Sequence, residues 1–324
     1  MTTYNLHGPQ VEPKAACWGG VAAPLHVVTT AEITAALGGT EPAYPTGPAA
    51  KKELAELQAL ALMRDDPTAL SSGTPDRKRR PLSIFLQLRP PPLGAVYDTL
   101  RAETHPVITT GRELARMFES ETPGLAHRHA LNYLIGQTSW SPPRQARAWA
   151  ALDIAVYSAL LAAWHYKWNA AGPAAIPPSD PPISYRQRPW EADKSLPVLF
   201  DHAVNSAGSG DGPLRHSPHP TPGTPRHPAY PSGHSTYSAA ATEVLKHFFP
   251  GYAGPLDDLA DNIGMARLWA GIHWRSDHTF GQLVGKAVGQ LVIEQLNTDT
   301  AGDPPVPPLS TDPPPSPPVP GTAC

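Results

Sequence analysis

Cysteine is nearly absent from this chain of 324 residues: only Cys17 and Cys324 occur, near opposite ends. Two such residues form neither a disulfide framework nor a thiolate metal site. An excess of one charge is missing too. The net charge is -3 and the pI about 6.5, which gives no reason to expect nucleic acid or an anionic membrane as a partner. The basic run Arg77-Lys78-Arg79-Arg80 lacks interleaved aromatics or a wider basic face, and reads as a solvated turn. Long apolar runs are also lacking. The most hydrophobic region, around 148–168, is interrupted by Asp153, Ser158, His165 and Lys167, so no membrane span is expected. The first twenty residues show no basic stretch followed by a sustained apolar one. The chain therefore reads as soluble, and as cytoplasmic as written or secreted if an export signal has been removed.

Proline, by contrast, is plentiful at 42 residues and marks long irregular segments between helices. Apolar periodicity predicts helices near 31–37, 49–64, 93–104, 109–119, 123–136, 142–170, 234–248, 255–270 and 276–296. In the second of these, Leu54, Leu57, Leu60 and Leu62 fall near one face. Pro142-Pro143 can start the longest helix. Gly281, Gly285 and Gly289 recur every four residues, a costly ridge for a helix unless another helix approaches closely. The stretches 170–189 and 201–233 are too rich in proline and glycine for regular structure, and strand patterns are few. The expected fold is all-α, a helical bundle with long Pro/Gly-rich loops. An N-terminal helical region, 1–140, is expected to share one fold with a catalytic bundle at 141–296, followed by a Pro-rich tail at 297–324.

The chemistry concentrates in two segments. Pro231-Ser232-Gly233-His234 opens a predicted helix, so free backbone N–H groups, a hydroxyl and an imidazole converge where the helix dipole is positive. Downstream, ARLWAGIHWRSDHTFG sets Arg267 six residues before His273 and Asp277 four after it. An Asp at that spacing can hold one ring nitrogen of His273 and leave the other as a nucleophile or ligand. Each residue alone has an ordinary role open to it: a capped helix start, a core histidine, an Arg267–Asp261 pair. Together they suit a tetrahedral or trigonal-bipyramidal oxyanion. His202, His216 and His219 carry no companion carboxylate at metal-ligand spacing, so a zinc or copper site is not expected there.

These segments, with an upstream Lys167 and Arg188-Pro189, resemble the three-part signature shared by vanadium-dependent haloperoxidases and the type 2 phosphatidic-acid phosphatase (PAP2) superfamily. HPAYPSGHSTYSAAATEVL and GIHWRSD are closer to the haloperoxidase branch, and the likeness extends over about 142–290. The resemblance implies a helical bundle of that type binding vanadate(V), with neither haem nor nucleotide. His273 would ligate vanadium. Lys167, Arg188, Arg267, Ser232, Gly233 and His234 would hold the oxyanion. His234 would be the acid–base group, and Asp277 would orient His273. Hydrogen peroxide and halide would be substrates, with a small organic acceptor and a homo-oligomer as further partners. The alternative is a soluble acid phosphatase in which His273 forms a phosphohistidine.

Two departures stand out. Twenty residues separate Lys167 from Arg188, more than the family usually has. Either AGPAAIPPSDPPIS is looped out with both anchors in place, or Lys167 is structural, or Arg186 takes part. Ala266 replaces a common Ser. His227, seven residues before His234, lies where the resemblance associates His with bromide or iodide; a solvated loop histidine is the other reading.

Overall fold

The computed structural model describes residues 25–39, 44–70, 82–87, 108–119, 122–169, 175–176, 183–184, 186–197, 199, 225 and 227–298. Ten helices appear among them: α1 Thr30–Ala36, α2 Gly47–Met63, α3 Ile84–Gln87, α4 Gly111–Met117, α5 Leu125–Gly136, α6 Pro142–Asn169, α7 Pro189–Ala192, α8 Gly233–Phe248, α9 Ala253–Trp269 and α10 Arg275–Asn297. The helix expected at 93–104, the basic run at 77–80, His202, His216, His219 and most of the tail lie outside the described residues. Strand structure among the described residues is one antiparallel pair, β1 Ala175–Ile176 with β2 Ile183–Ser184. It falls within the insertion between Lys167 and Arg188, a stretch expected to be irregular.

Helix α8 is the centre, packed against α10, α6 and α9. Its residues Ser235 to Thr242 are all buried. Most are small enough for close packing, and two of their hydroxyls return to the helix's own carbonyls: Thr236 Oγ1 donates to Ser232 O at 2.8 Å and Ser238 Oγ to His234 O at 2.6 Å. The glycine ridge of α10 faces this surface. A Cβ on Gly285 would stand 2.1 Å from Thr236 O, and one on Gly281 2.7 Å from Ser232 O. The ridge therefore sets how near α10 comes to the start of α8, where the chemistry is.

Two expectations need correction. Leu62 does not share the buried face of α2; it is 88% exposed, while Leu57 and Leu60 are buried. Two residues span about 200° of a helix, which puts Leu62 almost opposite Leu60. Secondly, Pro142–Trp168 is long and apolar enough to cross a membrane, with a window of mean hydropathy 1.3. The four polar interruptions are too few to lower that average. Half of the window is nevertheless buried inside the bundle, through Ala148, Ala151, Leu152, Ala155, Ala159 and Ala162. One interruption, Ser158, is also used internally, accepting the Val28 N–H at 3.0 Å.

Candidate oxyanion site

Three chain segments meet at the N-terminal ends of α8 and α10. Ser232 N–H donates to Asp277 O at 3.0 Å, joining the two helix starts directly. Ala229 N–H donates to Arg186 O at 3.1 Å, and Trp274 Nε1 to Gln187 O at 2.8 Å, which brings in the segment before α7. Residues far apart in sequence are thus fixed by two backbone–backbone bonds and one indole N–H.

Side chains then fill the junction. His273 Nδ1 lies 2.9 Å from Asp277 Oδ2, and Asp277 also reaches back to the Trp274 N–H at 2.8 Å, as an N3 carboxylate does at a helix start. Arg188 Nη1 is 3.1 Å from His273 Nε2. Arginine only donates, so Nε2 accepts there, and the proton sits on Nδ1 facing Asp277. Nε2 consequently presents its lone pair to the cationic side of the site. Burial above all, then Arg188 and Lys167, holds the His273 pKa well below that of an ordinary histidine, so the ring stays neutral.

The cations are buried too. Arg188 donates to Ile272 O at 2.7 Å and His227 O at 2.9 Å, and its pKa is lowered by burial to about 9. Lys167 Nζ donates to Pro228 O at 2.7 Å and Pro231 O at 2.5 Å. Arg188 Nη2 also reaches Pro228 O, at 3.4 Å, so the long connection between them leaves Lys167 and Arg188 sharing one acceptor. Burial, then repulsion from Arg188, depresses Lys167 well below an ordinary lysine. Arg267 enters from α9, donating to Phe118 O at 2.7 Å, with burial lowering its pKa to about 10. Asp261 does not pair with it; that carboxylate instead meets His278 Nε2 at 3.2 Å.

His234 Nε2 lies 3.2 Å from the same Phe118 carbonyl, so it must donate, leaving Nδ1 as an acceptor. Burial first, then Arg267, pushes its pKa well below the ordinary histidine range. Ser232 is buried, and its Oγ accepts from Ser235 N–H at 3.4 Å. Beside Gly233 there is room: a Cβ would meet nothing within 4 Å. His227 stacks obliquely on Trp164 at 5.0 Å and meets Arg188 through Nδ1 at 3.1 Å. Burial, then Lys167 and Arg188, lowers it to about 3.

Some contributors carry no readable signal in sequence. The Phe118 carbonyl is backbone, and nothing in the sequence marks the buried Glu119 after it. Arg186, a candidate for the cradle, points elsewhere: it bonds Asp277 Oδ1 at 2.7 Å and Glu53 Oε2 at 2.6 Å. Glu53 belongs to α2, far upstream of every motif.

Comparison with known proteins bears on this same region. Residues 254–302 match the VCPO second helical-bundle domain. Vanadium-dependent bromoperoxidases of Corallina pilulifera and Corallina officinalis are each 31% identical, over 22% of this chain and 17% of theirs. Over these residues the chain is similar to vanadium haloperoxidases. Its matched part spans under a fifth of those bromoperoxidases' length. The homohexameric vanadate-dependent bromoperoxidase AnII of Ascophyllum nodosum superimposes with a TM-score of 0.51 at 16% identity, covering 79% of this chain and 67% of that one. The all-α haloperoxidase fold is therefore shared.

The residues present fit an oxyanion of the kind named for those relatives, vanadate. Lys167, Arg188 and Arg267, each 3% exposed or less, are gathered around a neutral His273. Asp277, the carboxylate beside His273, is already engaged by Arg186. Burying that much positive charge is costly unless an anion shares the site. Among the described residues no group of His, Cys, Asp and Glu could chelate a bare metal cation, whereas an oxyanion needs the cations and N–H groups found here.

Proposed function

We propose that this chain is a vanadate-dependent haloperoxidase that oxidises bromide or iodide with hydrogen peroxide. The supporting observation is His273 Nε2, held as an acceptor by Asp277 on the far side of the ring, with Arg188 3.1 Å away and the buried charges of Lys167 and Arg267 also acting on it. In this reading His273 holds the vanadate. Lys167, Arg188 and Arg267 neutralise its oxygens, assisted by the Ser232 hydroxyl and the Gly233 N–H. When bound, vanadate supplies a Lewis-acid V(V) centre that makes peroxide electrophilic without changing its own oxidation state.

The protein's share is orientation, water exclusion and proton handling. His234 Nδ1 is an open acceptor, and the neutral ring can take a proton from incoming peroxide and return it to the departing oxygen. Asp277 keeps the His273 proton on Nδ1, so Nε2 never competes for one. The overall conversion balances as halide, hydrogen peroxide and one proton giving hypohalous acid and water. Released hypohalous acid, or a halogenated small organic acceptor, would be the product. His227 stands beside Arg188 on the Trp164 side, and its position supports the bromide or iodide preference. A homo-oligomer is part of the same reading, prompted by the homohexameric Ascophyllum protein; sedimentation velocity checks it.

The deciding experiment is bromide- and peroxide-dependent halogenation by metal-stripped protein, with and without orthovanadate. Activity appearing only with vanadate, and suppressed by phosphate, is the expected result. No halogenation under any condition overturns the proposal. Turnover of an aryl phosphate would then identify the phosphatase, since a lone pair on Nε2 equally suits attack on phosphorus.

A further inference from the structure

Behind the oxyanion site lies a second polar layer with no counterpart among the motifs. We propose that Arg186 and Glu53 are positioning residues: together they fix the Asp277 carboxylate, and through it the tautomer and ring orientation of His273. This inference rests on His273 being the group that meets the oxyanion.

Consider what Asp277 has to work with. Its Oδ2 takes both the His273 Nδ1 proton and the Trp274 N–H. Its Oδ1 has one donor among the described residues, Arg186 Nη1 at 2.7 Å. The same Nη1 donates to Ser276 Oγ at 2.5 Å, and Nη2 donates to Glu53 Oε2 at 2.6 Å. The planar guanidinium thus spans two carboxylates, a geometry that a point-charge lysine cannot reproduce. It is only 5% exposed and enclosed by aromatic rings: Tyr44 at 5.1 Å, Trp274 at 5.0 Å and Tyr230 at 5.9 Å. Such enclosure leaves the fork one orientation.

Glu53 completes the arrangement from the far side. Its Oε1 accepts the Ser276 N–H at 2.8 Å, in the first turn of α10, and its Oε2 accepts from Ser276 Oγ at 3.0 Å. One turn along α2, Glu56 holds Arg275 with Nη2–Oε1 at 2.5 Å. The N-terminal helix is therefore clamped to the start of α10, the turn that carries Asp277 and follows His273. Remove Arg186, and Oδ1 loses its donor while Glu53 is left buried without its cation. The carboxylate is then free to rotate, and His273 can exchange its Nδ1 proton for one on Nε2, the nitrogen that must stay an acceptor.

The test uses the full chain with 15N-labelled histidine. Long-range proton–nitrogen spectra of the ligand-free protein report the His273 tautomer, and calorimetry reports orthovanadate affinity. In the unaltered protein Nε2 should appear as the unprotonated nitrogen. Arg186→Met should show mixed tautomers and bind orthovanadate about 10–100-fold more weakly, the usual range for groups that orient a ligand. Glu53→Gln should move both readouts in the same direction by less. A merely structural pair would lower the unfolding temperature and leave both at their original values, and that result overturns the proposal. If Arg186→Met does not fold, Glu53→Gln decides on the same two readouts. Should the unaltered protein bind no orthovanadate, the functional reading fails, and the tautomer comparison still decides the positioning role.

Discussion

Glu119 shows how a single buried group sets a pH response. It is 9% exposed, its Oε1 has no hydrogen-bond partner among the described residues, and burial raises its pKa to about 7 against the pull of Arg267 and Arg116. The folded protein then keeps a proton that the unfolded chain releases above 4.5. Its contribution is intact below that pH and is lost as pH rises through about 7. Glu119→Gln should therefore gain about 2–3 kcal/mol at pH 8 and almost nothing at pH 4, measured by urea unfolding. His127 has the opposite sign. It is buried with Nδ1 unpartnered among the described residues and Nε2 2.9 Å from Thr242 Oγ1, and burial lowers its pKa to about 3. The unfolded chain gains the proton first, so stability falls as pH drops below the ordinary value of 6.5. His127→Gln should flatten that fall by about 1.4 kcal/mol per pH unit, the worth of one proton.

Among the elements, α8 and α10 decide whether a site exists at all. Gly285→Ala would drive a methyl to 2.1 Å from Thr236 O, a backbone atom that cannot swing aside. The helices must part, costing about 1–3 kcal/mol or more and loosening the Ser232–Asp277 bond that joins the two motif segments. Gly136→Ala, at the end of α5 with nothing within 4 Å, is the control and should leave thermal unfolding unchanged or slightly improved. This ridge was legible in sequence because a four-residue glycine spacing has few other physical explanations. The helix start at Ser232 was legible for a related reason, since caps and prolines act locally, and the last helix, expected from 276, begins one residue earlier. Lys167 was readable as a residue but not as a contact. Its placement depends on Pro228 O and Pro231 O, and on how the insertion between Lys167 and Arg188 closes, which local spacing does not encode. Glu53 and Arg186 were harder still. Their pairing joins residues 133 apart and follows only from how α2 lies on α10.

At the scale of the whole molecule, the bundle carries three cations whose burial is costly. Lys167 is 1% exposed, Arg188 1% and Arg267 3%, and each is held below its ordinary pKa first of all by burial. Lys167 and Arg188 are satisfied chiefly by backbone carbonyls, which are dipoles and do not cancel the charge. A fold that buries like charges side by side is destabilised until a counter-ion arrives. Stability and anion binding are then the same free energy measured twice. Orthovanadate or phosphate, binding only the folded chain, should add about 2.7 kcal/mol at one hundred times its dissociation constant. Sodium chloride at the same ionic strength should do far less, because screening scarcely reaches buried charges and chloride lacks the several oxygens needed to meet three cations at once. Arg188→Met removes one cation and the donor to His273 Nε2 together, so it should raise the unfolding temperature without anion and abolish most of the rise with it. Scanning calorimetry of both proteins, with each salt, reads the two effects in one experiment. If Arg188→Met lowered stability in the absence of anion while keeping the full response to orthovanadate, these cations would be pillars of the fold and no cradle for an oxyanion.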